Sequence, residues 1–193
     1  MDTKSRILAA ARAAFERHGL DGLSLRDIAK KAGITAMAIY RHFDSKQALI
    51  DALVLDALDE WSERARSVAP GEPLDWAHRI GEAYLDFALE KPRRYEAAFL
   101  LHSTAARRYP DDFVAGGSPA VTLQLKNIET AIARGLLVAL PPIEIMITLA
   151  GLSQGLVTLY RAGRTMGGEQ EFRALYRRAM RRSIESFRTE RSQ

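Results

Sequence analysis

The stretch Ser24-Leu25-Arg26-Asp27-Ile28-Ala29-Lys30-Lys31-Ala32-Gly33-Ile34-Thr35-Ala36-Met37-Ala38-Ile39-Tyr40-Arg41-His42-Phe43-Asp44-Ser45-Lys46 decides the fold. Ser24 followed three residues on by Asp27 is a capping-box pattern, and Leu23 and Ile28 hold the two hydrophobic-staple positions around it, so a helix starts there. Leu25, Ile28, Ala29 and Ala32 keep helical spacing, and Gly33 supplies the left-handed residue that ends the helix. Thr35 caps a second helix, with Ile34 and Ile39 as its staple, and a third helix begins at Lys46. Two short helices around one glycine must cross steeply, which is a helix-turn-helix.

The second helix leaves an unusual set of side chains outside. Ile39 and Phe43 point inward at i, i+4, so Ala36, Met37, Tyr40 and Arg41 face outward beside Thr35. Small side chains let a backbone enter a groove, a hydroxyl and a phenol can donate to phosphate, and Arg41, His42 and Lys46 add positive or protonatable donors. That inventory suits DNA better than it suits water.

The run Ile39-Tyr40-Arg41-His42-Phe43-Asp44-Ser45-Lys46-Gln47-Ala48-Leu49, preceded by Leu25-Arg26-Asp27-Ile28-Ala29, resembles the DNA-binding domain of the TetR family of transcriptional regulators. Its Tyr-x-His-Phe-x-x-Lys core with a downstream leucine is far more specific than a generic helix-turn-helix. The resemblance implies that Ser24, Thr35, Tyr40, His42 and Lys46 hold DNA phosphates. Ala36, Met37 and Ala38, at the groove-facing start of the recognition helix, are expected to meet base edges, largely through thymine methyls. Alanines cannot hydrogen-bond bases, so part of the specificity falls to Arg41, Thr35, the N-terminal arm or DNA shape.

The charge is placed to match. Residues 1–46 hold nine Lys or Arg against five acids, a net +4, while the remaining 147 residues balance at nineteen of each. The whole excess of the chain therefore sits on the proposed DNA-binding head, as an electrostatic footprint for phosphate should. A chain of 193 residues that is 47% apolar and 27% charged can form this head and one larger core. The absence of cysteine excludes disulfides, thiolate zinc sites and cysteine nucleophiles, and fits a reducing compartment. The N-terminus has no secretory pattern, and the apolar stretch Leu136–Tyr160 is interrupted by Pro141, Pro142, Glu144, Gly151, Gln154 and Gly155, so a buried helix is expected in place of a membrane span and the chain is read as cytoplasmic.

Along the chain, residues 3–18 form a first helix with Ile7, Leu8, Ala11, Ala14 and Phe15 as its stripe, Thr3 as its cap and Gly19 as its stop. After Lys46 the pattern stays helical to about Val68, roughly 34 Å at 1.5 Å per residue, forming a linker helix. Pro70-Gly-Glu-Pro73 is the clearest break, which divides the chain into a helix-turn-helix domain (1–46), a linker helix (47–69) and a C-terminal domain (70–193). Helices are expected at 74–91, 93–106, 120–138, 141–163 and 169–188, with a mobile loop over 107–119 and a fraying Arg-rich tail. The count is nine helices, the class is all-α, and no period-two strand pattern appears. The run Ala83-Tyr84-Leu85-Asp86-Phe87-Ala88-Leu89-Glu90-Lys91-Pro92 also resembles the C-terminal domain of one TetR subgroup.

No constellation for catalysis is found. The four histidines (18, 42, 78 and 102) are scattered, and His78 with Glu82, one turn apart, reads as a metal pair or a surface pair with no third ligand near. No nucleophile elbow, phosphate loop or zinc-protease motif is present, and no cofactor is expected. Tyr84, Phe87, Phe99, His102, Gln154 and Thr158 are candidates to line an apolar cavity with a few polar groups, as an effector site requires. Gly151 and Gly155, which permit close helix approach, and the last-helix seam Phe172, Leu175, Tyr176, Ala179, Met180, Ser183 and Phe187 are candidates for a two-fold dimer interface. The expected protein is thus a homodimeric regulator that binds a palindromic double-stranded operator and is released by a small, mainly hydrophobic effector. A constitutive DNA-binding regulator without an effector, and a helical enzyme or scaffold with a basic head, are the alternatives.

Overall fold

A computed structural model describes residues 2–189; the tail from 190, expected to fray, lies outside the described residues. Among the described residues the chain is all-α and has ten α-helices: α1 (Thr3–His18), α2 (Leu25–Ala32), α3 (Ala36–Ile39), α4 (Lys46–Arg66), α5 (Pro73–Glu90), α6 (Pro92–Phe99), α7 (Asp111–Val114), α8 (Pro119–Ala133), α9 (Pro142–Arg161) and α10 (Glu169–Ser186). A 3-10 turn, Gly19–Gly22, joins α1 to α2, and one isolated antiparallel bridge pairs Leu137 with Arg188. The tenth helix is α7, a single turn inside the segment read as a loop. Two boundaries fall short of expectation. Helix α6 stops at Phe99, where Leu100 and Leu101 both donate to the Glu96 carbonyl, and α8 stops at Ala133 ahead of Gly135. The cap of α1 is Asp2, not Thr3: its Oδ1 accepts from the Ser5 N–H at 2.7 Å.

The chain packs as two compact units. The first comprises residues up to Glu60 together with Lys91–Ala106; the second comprises Trp61–Glu90 together with residues from Arg107 onward. This differs from the division expected at 46 and 70, and the reason is chemical. Lys91–Ala106 returns to the first unit because Arg94, 5% exposed, sets its guanidinium 2.7 Å from Asp56 and 2.5 Å from Glu60, and Lys91 adds a second bond to Glu60 at 2.5 Å. Arg12 of α1 pairs with the same Asp56. Two acids one turn apart on α4 therefore hold α1 and α6. Under them lies one apolar core that includes Ile7, Phe15, Ile28, Ile39, Phe43, Leu49, Leu53 and Ala97. Pro70–Pro73 is a helix break, not a packing boundary.

A second tie closes the first unit. The Asp51 carboxylate of α4 accepts from Gln47 Nε2 (2.9 Å), Ser103 Oγ (2.8 Å), the Thr104 N–H (3.0 Å) and Thr104 Oγ1 (2.5 Å). Burial by itself would raise the pKa of this group. The bonds from Thr104, Gln47 and Ser103 outweigh it and hold the carboxyl at about 2.

In the second unit α9 and α10 pack against each other and against α5, with α8 completing the layer. Tyr160 stacks on Phe172 at 4.1 Å, and Trp61 meets Tyr84 edge-on at 5.4 Å. Tyr176 donates its hydroxyl to the Gly81 carbonyl at 3.0 Å and stands 3.0 Å from Ser153 Oγ. Helix α9 runs unbroken through Gly151, Gln154 and Gly155. By length and composition it is the one described helix able to cross a membrane, with 22% of its most apolar window buried.

Candidate nucleic-acid interface

The turn between α2 and α3 is built as its residues require. Gly33 takes φ 70° and ψ 36°, donates its N–H to the carbonyls of Ala29 and Lys30, and is followed by an Ile34 N–H bond to Ala29 at 3.0 Å. A side chain at 33 would meet open space, so it is the positive φ that demands glycine. Ser24 Oγ accepts from the Asp27 N–H at 3.4 Å. The returning half of the capping box is replaced: the Ser24 N–H is bonded to the Gly22 carbonyl at 3.0 Å in the preceding turn. Thr35 Oγ1 accepts from the Ala38 N–H at 3.2 Å, which leaves its own O–H free to donate.

Helix α3 is one turn long and tightens at its end, where the N–H groups of His42 and Phe43 both reach the Ile39 carbonyl at 2.9 Å. Ile39 and Phe43 are buried, and Lys4 of α1 lies over the Phe43 ring at 5.6 Å. What remains outside is an unbroken strip. Thr35, Ala36, Met37, Tyr40, Arg41, His42 and Lys46 are exposed, Met37 to 73%, while Ser24 and Ala38 are half-buried. A methionine left that open between two alanines has no packing role in its own chain, and hydroxyl, phenol, imidazole and cationic donors surround it. The arrangement offers an apolar centre for base edges and a polar rim for phosphate.

Residues 7–53 match the family described as bacterial regulatory proteins, tetR family, and residues 77–183, more than half of the chain, match the tetracyclin repressor-like C-terminal domain. The chain belongs to the TetR family. Its curated relatives are HTH-type transcriptional regulators. The HTH-type transcriptional regulator UidR of Escherichia coli strain K12 is 31% identical over 128 residues, which cover 65% of this chain and 58% of UidR. The match thus spans less than two thirds of that relative. A protein of unknown function from Rhodococcus sp. RHA1 shares the fold at a TM-score of 0.78 and 24% identity, covering 98% of this chain and 96% of that one. A TetR variant from Acinetobacter baumannii AYE, solved with minocycline, does so at 0.69 and 18%, covering 98% and 99%.

The residues expected to serve this TetR-family chain beyond DNA are distributed less simply. Of the effector candidates, Tyr84, Phe87, Gln154 and Thr158 belong to the second unit, whereas Phe99 and His102 belong to the first. Phe99 tilts against Tyr95 at 5.3 Å, and His102 is exposed with its carbonyl 3.5 Å from Gln47 Nε2. Phe87 is fully buried against Trp61, so it is core. Gln154 is half-buried and Thr158 exposed. Of the dimer candidates, Phe172, Tyr176 and Met180 are buried within their own chain, because the stripe they form faces α5 and α9. Gly151, Gly155 and Leu175 are exposed; Ala179, Ser183 and Phe187 are half-buried, Phe187 packing beside α8 and α9.

The sequence reading missed Asp51, Asp56, Glu60 and Arg94, which fix α4 to α1, to α6 and to the segment after α6. One signal existed. Asp56 and Glu60 are like charges at i, i+4 on one helix face, which is unfavourable unless cations answer them.

Proposed function

We propose that the protein is a homodimeric, ligand-responsive repressor of the cytoplasm that binds a palindromic operator through the α2–α3 motif and leaves it when a small, mainly hydrophobic effector binds the second unit. The observation that carries the DNA reading is the exposed strip from Thr35 to Lys46, set on the part of the chain that holds the entire basic excess. Ser24, Thr35, Tyr40, His42 and Lys46 position the backbone; Ala36, Met37, Ala38 and Arg41 read bases. Selection of bound sequences from random DNA by the purified protein tests it. A palindrome with two half-sites is the expected product, and recovery of sequences without any shared motif would overturn operator recognition.

Dimerisation is supported by α9. A β-carbon on Gly151 or Gly155 would meet nothing within 4 Å, so these glycines serve no packing need of their own chain, and Leu159 of α9, 44% exposed, and Leu175 of α10 are open as well. A second chain applied to this face would use the close approach that glycine allows, and symmetric dimers are the commonest assembly. Ligand response is supported by the minocycline complex of a protein with the same fold. One second reading is a constitutive regulator, since the exposed strip from Thr35 to Lys46 is complete without a ligand. An effector screen that never changes operator affinity would decide for it.

A further inference from the structure

The second unit carries a groove that neither the operator strip nor the open α9 face includes. It lies between α5 and α10, has a volume of about 370 Å³, and is lined by His78, Gly81 and Glu82 from one helix and Tyr176, Arg177, Met180 and Arg181 from the other. Sites for small molecules run from roughly 300 to 1,000 Å³. By contrast, the apolar void beside Leu74, Ile128 and Ile145 measures about 10 Å³, and its polar side chain, Asn127, is satisfied by the Pro73 carbonyl at 3.0 Å. That void is packing; the groove is space.

The floor of the groove is apolar and fixed. The Tyr176 hydroxyl is anchored on the Gly81 carbonyl at 3.0 Å, and Met180 touches the same chain of bonds through Ser153 Oγ, 3.3 Å from its sulfur. Gly81 keeps the floor open: a β-carbon there stands 3.7 Å from Met180 Cε and 3.8 Å from Tyr176 Oη, an ordinary contact, and anything larger would extend among the lining atoms. On the rim, Glu82 is matched by a forked pair with Arg177, at 3.0, 3.0 and 2.7 Å. Arg181, one turn beyond Arg177, and His78, one turn before Glu82, have no side-chain bond or ion pair among the described residues. With Glu82 and Arg177 cancelling, the rim presents one uncompensated guanidinium and one imidazole above an apolar floor.

We propose that this groove binds an apolar organic anion, with its carboxylate on Arg181 and His78 and its hydrocarbon or aromatic body on Gly81, Tyr176 and Met180. A planar guanidinium fork matches a carboxylate in geometry as well as charge, and the floor is too apolar to favour a free inorganic anion. The inference deepens the ligand-responsive reading and rests on it for the consequence of binding, not for the binding itself.

The test is calorimetric titration of the full chain, without DNA, using 2-naphthoate and decanoate as probes and their amides as neutral counterparts. Both anions should bind more tightly than their amides, and Arg181→Glu should weaken them by about tenfold or more, since a charge-assisted bond becomes a repulsion. Gly81→Leu should abolish binding by filling the floor. Lys126→Glu, the same charge change at an exposed position on α8, should leave binding unchanged. Because Arg181 is exposed and unpaired, its variant reports even if Gly81→Leu fails to fold. The inference is overturned if neither anion binds the wild type below millimolar concentration, or if Arg181→Glu binds as the wild type does. It is equally overturned if Lys126→Glu weakens binding as much as Arg181→Glu. Operator release is measured separately: an anion that binds through Arg181 and does not release DNA supports the site while removing it as the effector site.

Discussion

Lys46 and Met37 are both exposed on the same strip, and their substitutions should separate two kinds of contact. Lys46→Ala is expected to weaken binding to all sequences alike and to flatten the salt dependence by about 0.9 per half-site, one neutralised phosphate. Met37→Ala should leave that slope unchanged and relax preference at one base pair per half-site, at a cost of about 1–3 kcal/mol or less. Quantitative binding across a salt series with a matched set of operator variants checks both, and an exchange of the two outcomes would mean that the helix docks in the opposite sense. Two residues that never touch the strip matter to its support. Arg94→Ala strands Asp56 and Glu60, and because Glu60 keeps 28% of its side chain in water the loss should be roughly 3 kcal/mol, at the low end of the range for broken buried pairs. A denaturant midpoint unchanged from wild type would refute the network. Asp51 gives a pH signature. Its pKa falls from 3.8 unfolded to about 2 folded, so its contribution to stability is present above about pH 4 and disappears as the pH drops through 2. Asp51→Asn should therefore be less stable than wild type near neutrality, and its thermal midpoint should converge with that of wild type between pH 4 and 2.

At the scale of elements, what could be read from the sequence was local. The Gly33 stop, the Thr35 cap and the Ile39 and Phe43 anchors are set by neighbours within one turn, and each stands where its residue type requires. The seam of α10 was legible as a stripe but not as an interface. Phe172, Tyr176 and Met180 repeat at helical spacing, which announces an apolar partner without saying whether it belongs to the same chain or another. The place of Phe99 and His102 in the first unit was not legible for a similar reason: that α6 returns to this unit depends on Arg94 finding acids 34 and 38 positions earlier, which no local pattern encodes. The open glycines of α9 yield the sharpest test at this scale. Gly155→Leu should leave the single chain at least as stable as the wild type, since its side chain meets nothing there and the helix gains up to about 0.8 kcal/mol of propensity. It should nevertheless dissociate the dimer, as sedimentation velocity at micromolar concentration will show. A variant that sediments as the wild type does would remove α9 from the interface.

For the whole molecule, dimerisation and operator symmetry stand or fall together: a wild type that is monomeric at micromolar concentration is expected to lose two-half-site recognition, and footprinting of the operator beside the sedimentation run measures both. The path of the chain has a further consequence. It passes from one packing unit to the other after Glu60, returns before Lys91, and leaves again after Ala106, so the first unit is made of two stretches separated by thirty residues of the other. A single genetic crossover near residue 60 would retain the resident Arg94, and where the incoming stretch lacks acids at the positions of Asp56 and Glu60 it would leave that guanidinium without its counterparts. The head is therefore no cassette. An exchange that keeps the network of Arg94, Asp56 and Glu60 must carry α6 along with the head.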